Sequence, residues 1–269
     1  SPTAAGQATH FTATVTAGGG ITYTWDFDDG SPLFVSDADN TVEHVYTTPG
    51  NYVATVTARN LFGAVSATSP VVITDAPVSG LSAANDSPTT LGQPTAFTAT
   101  ITGGGNVSYA WAFGDGTSGS GANATHTYGA VGTYTAIVTA SNGVNSLTAT
   151  TPVAITDVPA TGLSATNDSP TALGQPTAFA ATVTGGSNVS YAWDFGDSQT
   201  GSGAHPMHTY AAGGVYLATV TASNGTNALQ ATTRVTVETP ISGLQAANDS
   251  PVPVGQPVDF AATVAGGDN

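Results

Sequence analysis

The residues of this sequence that could carry acid–base chemistry are histidine and aspartate. Of the five histidines, three stand two residues before a tyrosine, at His44, His126 and His208. A histidine beside a carboxylate is a common general base. An enzyme needs that base at one site, however, whereas these three histidines recur at equivalent positions of a repeated segment. We therefore expect them to make structural hydrogen bonds, and we predict that the chain is not an enzyme.

The aspartates suggest a different chemistry, the binding of Ca²⁺, which takes six to eight oxygen ligands from carboxylates, carbonyls and water. The candidate ligands lie in an acidic turn after each tryptophan or in a recurring Asn-Asp-Ser triplet: Asp26, Asp28, Asp29, Asp115, Asp197, Asp86, Ser87, Asp168, Ser169 and Asp249. Their spacing is not that of an EF-hand loop. Alternatively, the turn aspartates accept backbone N–H groups, as aspartate does in Asx-turns. The sequence leaves both interpretations open.

The charge balance excludes several classes of partner. The 269 residues include 17 acidic and only two basic residues, which gives a net charge of −15. A surface that binds nucleic acid or an anionic membrane needs many lysines and arginines, so neither partner is expected. No cysteine is available for a disulfide. No apolar run approaches the roughly 18 residues of a membrane-spanning helix, so we expect no membrane span in this segment.

An internal repeat positions these candidate residues. Matching segments begin with Ser-Pro at residues 1, 87, 169 and 250. A tryptophan recurs in register in the first three of them, as Trp25, Trp111 and Trp193. The first segment has four extra residues between its tryptophan and the histidine that follows. An insertion confined to one place predicts a longer surface loop, at residues 31–40.

Apolar side chains alternate with polar ones within each segment. Tyr109, Trp111 and Phe113 stand at every second position, so they would share one face of a strand. Many Thr and Val residues, with clusters of Gly, Asn, Asp and Pro every ~8–12 residues, favour short antiparallel strands. We predict an all-β fold in which each segment forms a sandwich of two antiparallel sheets. The predicted core residues are Trp25, Trp111, Trp193, Tyr52, Tyr134 and Tyr216.

The motif Tyr-Ala-Trp111-Ala-Phe-Gly-Asp-Gly116 resembles the WDFGDG signature of polycystic kidney disease (PKD) domains, and His126-Thr-Tyr128 extends the match. Related motifs surround Trp25 and Trp193. The resemblance implies tandem immunoglobulin-like β-sandwiches, arranged as a rod in a secreted or cell-surface protein. The predicted domains are repeat 1 (residues 1–76, with the longer loop and without a first strand), repeat 2 (77–158), repeat 3 (159–239) and a truncated repeat 4 (240–269).

The linkers between the repeats are short, and each contains a proline: Pro77, Pro159 and Pro240. Proline fixes φ and favours a semi-rigid connection. The resemblance also implies Ca²⁺ near the amino-terminal end of the domain, where the ion would stiffen the linkers. Repeat 1 lacks a strand that matches residues 81–85, and repeat 4 stops before its tryptophan strand. Two interpretations stay open: the chain is an excerpt of a longer array, or repeat 4 supplies strands to a neighbouring molecule by β-augmentation.

Together these patterns predict a non-catalytic extracellular structural or adhesive segment, such as a stalk, an adhesin shaft or a filament subunit. The expected partners are other copies of itself or further repeats of the same chain, with surface glycans or an insoluble polymer as another option. The alternative function is an accessory polymer-binding or spacer region of a large secreted hydrolase, such as a chitinase or collagenase. A row of exposed aromatic rings would favour that alternative, but most rings fall at inward positions, with Phe34 and Phe62 as the main exceptions.

Overall fold

The structure, a computed structural model, describes residues 2–37 and 39–267. The regular elements of these residues are β-strands, which confirms the predicted all-β class. No helix of the described residues is long and apolar enough to cross a membrane. The chain divides into two compact units, one with residues 1–128 and 132–154, the other with residues 129–131 and 155–269.

Repeat 1 folds into two sheets. Its strands are β1 (Thr3–Ala4), β2 (Ala8–Thr12), β3 (Thr22–Asp26), β4 (Phe34–Asp37), β5 (Thr41–Val45), β6 (Gly50–Asn60) and β7 (Gly63–Thr74). One sheet pairs β2 with β5, and the other has the order β1-β7-β6-β3-β4. The predicted loop at residues 31–40 therefore contains a strand, because β4 pairs with the tryptophan strand β3 along the sheet edge.

Repeat 2 has the same arrangement with one more strand at its start. Its strands are β8 (Ser82–Asn85), β9 (Thr89–Thr90), β10 (Pro94–Thr100), β11 (Ser108–Ala112), β12 (Ser118–Ser120), β13 (Asn123–Thr127), β14 (Gly132–Ser141) and β15 (Ser146–Thr156). The smaller sheet has the order β13-β10-β8, and the larger has the order β12-β11-β14-β15-β9. The tryptophan strand β11 lies inside the larger sheet, between β12 and β14.

Repeat 3 matches repeat 2. Its strands are β16 (Ser164–Asn167), β17 (Thr171–Ala172), β18 (Thr177–Thr182), β19 (Ser190–Asp194), β20 (Thr200–Ser202), β21 (Met207–His208), β22 (Gly214–Ser223) and β23 (Ala228–Glu238). The sheet orders are β16-β18-β21 and β17-β23-β22-β19-β20. Repeat 4 contributes β24 (Gln245–Asn248) and β25 (Phe260–Thr263), which pair antiparallel.

The core of each complete repeat lies between its two sheets and is centred on the tryptophan. The tryptophans are 2–3% exposed, because the alternation of side chains turns every second residue of their strands inward. A phenylalanine from the facing sheet packs on each indole, with ring centroids 5.9, 5.3 and 5.1 Å apart in repeats 1, 2 and 3. Two facing sheets with this strand order form the immunoglobulin-like sandwich that the sequence predicts. Their pairing is antiparallel except at the sheet edge, where the short strands β1 and β17 pair parallel with β7 and β23.

Three tyrosines that were predicted as core residues, Tyr52, Tyr134 and Tyr216, are instead half-buried at the core edge. The hydroxyl of Tyr52 donates to the carbonyl of Thr48 at 2.8 Å, and Tyr216 donates to Ala212 at 2.8 Å. This is the tyrosine corner of immunoglobulin-like sandwiches, in which the hydroxyl bonds to the backbone a few residues upstream. The ring can therefore cover the core only from its edge.

Candidate functional site

Each complete repeat carries a histidine–aspartate pair at the turn after its tryptophan strand. The Nε2–Oδ2 distances are 2.6 Å for His44–Asp29, 2.7 Å for His126–Asp115 and 2.7 Å for His208–Asp197. In repeat 2 the two side chains are 15% and 18% exposed. The other carboxylate oxygen of Asp115 accepts the backbone N–H of Thr117 at 3.0 Å, which is the geometry of an Asx-turn. Both oxygens of this carboxylate thus have partners within the protein.

The histidine of the pair is enclosed by aromatic rings. In repeat 2, His126 stacks on Phe113 with ring centroids 4.4 Å apart and an interplanar angle of 5°. Tyr128 meets the imidazole edge-on, and its hydroxyl donates to the carbonyl of Phe113 at 2.9 Å. The same contacts recur in repeats 1 and 3. Since every repeat places its histidine between these partners, the imidazole serves to fix the turn against the core.

The pKa values of the aspartate and of the neighbouring tyrosine agree with a structural role for the pair. Burial alone raises the pKa of Asp115, but hydrogen bonds from Thr117 and His126 outweigh burial and lower the pKa to about 2. The pKa of Asp29 falls to about 2 in the same way. Burial raises the pKa of Tyr128 to about 12. The carboxylate is therefore ionised and the phenol protonated across the physiological range, so neither group is poised to transfer a proton.

The other acidic-turn candidates for Ca²⁺ also accept hydrogen bonds. In repeat 1, an oxygen of Asp26 accepts the N–H of Asp28 at 3.0 Å, and an oxygen of Asp28 accepts the N–H of Val53 at 3.0 Å. Asp28 has a φ of 62°, the left-handed conformation that glycine adopts at this turn in the other two repeats. Within residues 2–37 and 39–267, the side chains of His, Asp and Glu form no group of three that could hold a metal ion.

The Asn-Asp-Ser triplets tie the first strand of a repeat to its neighbours. An oxygen of Asp86 accepts the N–H of Ala96 at 2.9 Å, and the hydroxyl of Ser87 accepts the N–H of Ala154 at 3.3 Å. In the same way, Asp168 accepts the N–H of Ala178 at 2.9 Å and Asp249 accepts that of Asp259 at 3.0 Å, whereas the backbone N–H of Ser169 donates to the side-chain oxygen of Asn167 at 2.9 Å. The hydrogen bonds of these residues thus connect neighbouring segments of the chain. The Ca²⁺ site stays a prediction.

Sequence reasoning missed a set of asparagines that hold the linkers. Asn142 donates from Nδ2 to the carbonyl of Ala76 at 2.8 Å and to that of Gly105 at 2.9 Å. Asn145 accepts the N–H of Val78 at 2.7 Å and donates back to the carbonyl of Val78 at 3.0 Å. The side chains of the hairpin between β14 and β15 thus hydrogen-bond to the backbone of the linker before repeat 2.

The linker before repeat 3 is held in the same way. Asn224 donates to the carbonyl of Val158 at 2.8 Å, and Asn227 exchanges two hydrogen bonds with the backbone of Ala160, at 2.8 and 2.9 Å. Asp157 adds a further anchor, because its carboxylate accepts from Ser187 at 2.7 Å. Asp157 is 8% exposed, and hydrogen bonds, first that of Ser187, lower its pKa. The signal in the sequence is the Asn-x-x-Asn spacing, which occurs in both hairpins.

In the first two linkers, a second contact is made by an asparagine with a left-handed backbone conformation. Asn106 and Asn188 both have a φ of 50°, a conformation that asparagine tolerates better than other side chains. Asn106 donates to the carboxylate of Asp75 at 2.7 Å, and Asn188 donates to Asp157 at 2.7 Å. The linker acid is therefore positioned by the loop that precedes the tryptophan strand.

Comparison with known proteins supports one family for the three complete repeats. The family model of the PKD domain matches residues 1–73, 80–155 and 162–237. Human Polycystin-1 is 30% identical over 254 residues, which cover 92% of this chain and 6% of Polycystin-1.

Among solved structures, the I-band fragment I67-I69 from titin has a TM-score of 0.38 at 16% identity and covers 87% of this chain and 94% of its own. The eight amino-terminal Ig domains of the Down Syndrome Cell Adhesion Molecule have a TM-score of 0.37 at 13% identity and cover 92% of this chain and 35% of their own. The family assignment rests on the domain matches, which cover most of the sequence and confirm the resemblance. The chain belongs to the PKD domain family and contains three PKD domains in tandem.

Proposed function

We propose that this chain is a non-catalytic, extracellular spacer segment that carries mechanical load in a stalk, an adhesin shaft or a filament. The observation that supports the proposal best is the docking of the first two linkers, each onto the repeat that follows it. Three hydrogen bonds of Asn142 and Asn145 hold the backbone of the linker residues Ala76 and Val78, and a fourth holds Gly105 in the loop beside the linker. A flexible connector would leave its backbone to water, whereas this one limits bending at the linker.

The histidine–aspartate pairs support the same function rather than catalysis. Each pair is enclosed by its own repeat, has its carboxylate oxygens engaged and occurs in all three repeats. Because the histidine–aspartate pair recurs in each complete repeat, it supports a property that each repeat needs, such as resistance to unfolding. The extracellular location is part of the proposal, and it is supported by the family and by the likeness to Polycystin-1.

Removing the asparagine contacts tests the proposed role of the linkers. In the double variant Asn145→Ala, Asn227→Ala, the amide hydrogens of Val78 and Ala160 lose their acceptors and should exchange with solvent at least about tenfold faster, the equivalent of ~1.4 kcal/mol. NMR hydrogen exchange measures this directly, and small-angle X-ray scattering should show a broader distribution of lengths.

Asn123→Ala is the matched control, because its side chain is exposed on a strand away from the linkers. It should change neither the exchange rates nor the scattering. Unchanged exchange at Val78 and Ala160 in the double variant, or equal changes in the control, would show that the asparagines do not hold the linkers.

The alternative proposal, a polymer-binding accessory region, draws support from two exposed rings. Phe62 is 95% exposed and Phe34 is 45% exposed, both in repeat 1, and sugar or collagen surfaces bind to such rings. Sedimentation with insoluble chitin, cellulose or collagen separates the two functions. Retention that disappears in Phe62→Ser would favour the accessory region over the spacer.

A further inference from the structure

The hairpin between β14 and β15 contains an Asn-Gly dipeptide, Asn142-Gly143, among the residues that hold the linker before repeat 2. An asparagine that precedes glycine is especially prone to spontaneous deamidation, because glycine has no side chain to hinder attack by its backbone nitrogen. The dipeptide occurs once more in the sequence, as Asn224-Gly225 in repeat 3. Deamidation at Asn142 would act directly on the linker contacts.

The fold does not require glycine at position 143. A Cβ atom built on Gly143 would meet no atom within 4 Å, and its φ lies outside the left-handed region. Repeat 1 has Leu61 at the equivalent position of its hairpin. Gly143 is also exposed, so water reaches the dipeptide. Turn geometry therefore does not explain the glycine, whereas its chemical consequence for Asn142 is direct.

Deamidation exchanges ammonia for water. The backbone nitrogen of Gly143 attacks Cγ of Asn142, so that a new C–N bond forms and the Cγ–Nδ2 bond breaks. Ammonia leaves with the proton that the glycine nitrogen loses, and a succinimide ring remains. Water then opens the ring at either carbonyl and gives aspartate or isoaspartate. The reaction requires that the side-chain amide turns towards the glycine nitrogen, because the two reacting atoms must meet.

The docked linker restrains that rotation. Nδ2 of Asn142 donates to the carbonyls of Ala76 and Gly105 at 2.8 and 2.9 Å. Oδ1 of the same side chain accepts the N–H groups of Val144 and Asn145 at 3.0 and 3.2 Å. The side chain is half-buried. These four hydrogen bonds fix the amide, so deamidation requires that the linker and the turn open first.

The product of the reaction cannot hold the linker. An aspartate keeps the oxygen that makes the turn, but it has no N–H to donate. A carboxylate oxygen would instead face the carbonyls of Ala76 and Gly105, which would lose their donor. The N–H of Gly105 also donates to the carbonyl of Ala76 at 3.2 Å, so the same repulsion weakens this backbone contact. Deamidation of Asn142 therefore favours the released linker.

We propose that Asn142 is a site of spontaneous deamidation that is protected while the linker is docked and that keeps the linker released once it has reacted. The inference rests on the linker docking that the proposed function also uses, and it goes beyond that function because it assigns a covalent modification. Redocking competes with the reaction each time the linker opens. The reacted fraction therefore grows with the time that the linker spends open.

The same dipeptide is held more firmly in repeat 3. The N–H of Gly225 donates to the carboxylate of Asp157 at 3.2 Å, and the hydroxyl of Thr226 donates to the carbonyl of Asp157 at 2.9 Å. In repeat 2, a valine stands at the position of Thr226, and Gly143 has no such bond among the described residues. Because the attacking nitrogen is restrained in repeat 3, Asn224 should deamidate more slowly than Asn142.

Mass spectrometry of the full chain, incubated folded at mildly alkaline pH, measures the conversion at each asparagine. Asn145→Ala removes the two hydrogen bonds that Asn145 makes with Val78, so Asn142 should deamidate at least about fivefold faster. Asn123→Ala is the matched control and should leave the rate unchanged. Adding Gly143→Ala to Asn145→Ala should suppress the reaction while the amide of Val78 still exchanges fast, since the added methyl group hinders the attack but not the opening.

Asn142→Asp reproduces the product and tests its effect. The amides of Val78 and Gly105 should exchange with solvent at least about fivefold faster than in the wild type. The amides of Val144 and Asn145 should keep their protection, because aspartate still accepts their hydrogen bonds. Unchanged exchange at Val78 and Gly105 would overturn the inference, since the modification would then leave the linker docked.

The deamidation rates separate this inference from the proposed function. If Asn145→Ala speeds the exchange of Val78 but does not change the deamidation of Asn142, the docking is correct and the inference is wrong. If the variant changes neither rate, both fail together. Deamidation of Asn224 as fast as that of Asn142 would contradict the restraint by Asp157.

Discussion

Replacing Trp111 with phenylalanine should destabilise repeat 2 more than replacing Trp25 destabilises repeat 1. The indole N–H of Trp111 donates to the carbonyl of Gly121 at 3.0 Å, and that of Trp193 donates to Gly203 at 3.1 Å. The indole nitrogen of Trp25 is buried but has no hydrogen-bond partner within the part of the chain that the structure describes. The three tryptophans thus occupy equivalent core positions and differ in one hydrogen bond.

That hydrogen bond sets the size of the difference. All three substitutions remove the same atoms from sites that are at most 3% exposed, so the packing losses should be similar. Trp111→Phe also loses a hydrogen bond worth about 0.5–1.5 kcal/mol, whereas Trp25→Phe removes an unpaired buried donor that costs about 1–3 kcal/mol. The free energy of unfolding should therefore fall further in Trp111→Phe, by at least about 1.5 kcal/mol.

The assay must resolve single repeats, because a chain of several domains does not unfold in one two-state step. Native-state hydrogen exchange of the strand amides reports the local free energy of opening for each repeat. Trp193→Phe is the matched control and should behave like Trp111→Phe. Equal losses for Trp25→Phe and Trp111→Phe would refute the reasoning that the indole hydrogen bond distinguishes the repeats.

Two further predictions concern the aspartates. The pKa values of Asp29 and Asp115 are about 2 in the folded chain, below the ordinary 3.8. The stability that the two carboxylates contribute is therefore present above about pH 4 and is lost as the pH falls through 2. Over that range, the difference in free energy of urea unfolding between the wild type and Asp115→Asn should narrow, and a constant difference would contradict the pKa shift. If the predicted ligands bind Ca²⁺, millimolar Ca²⁺ should raise the melting temperature, and a chelator should reverse the increase. If Ca²⁺ changes neither the melting temperature nor the particle length measured by X-ray scattering, the predicted Ca²⁺ ligands have only their structural hydrogen bonds.

The sandwich could be predicted from the sequence because its signals are local. Alternation around Trp111 identifies a strand and its inward face, and three recurrences of the same motif define the repeat. The structural role of His126 could also be predicted, because a histidine at the same position of each repeat is expected to stabilise the repeat. The partner of that histidine could not be read from the pattern, since Asp115 approaches His126 only after β12 and β13 bring the chain back.

The linker contacts could not be predicted for a related reason. Asn142 and Asn145 stand in a short hairpin, where asparagine ordinarily indicates a turn. The side-chain oxygen of Asn142 does make that turn, because it accepts the N–H groups of Val144 and Asn145 at 3.0 and 3.2 Å. Their Nδ2 groups, however, reach linker carbonyls 66 and 67 residues away, and a contact of that range depends on the finished fold.

The chain builds its turns and linkers from amides, hydroxyls and carboxylates because it has almost no cations. The ion pairs of the described residues all join a histidine to an acid, and the whole sequence contains two arginines and no lysine. Hydrogen bonds from a neutral amide such as that of Asn142 are not screened by salt, whereas the repulsion among 17 acidic residues is. A linker held by surface ion pairs would loosen as ionic strength rises. A linker held by the neutral amides of asparagine keeps these contacts as the ionic strength rises.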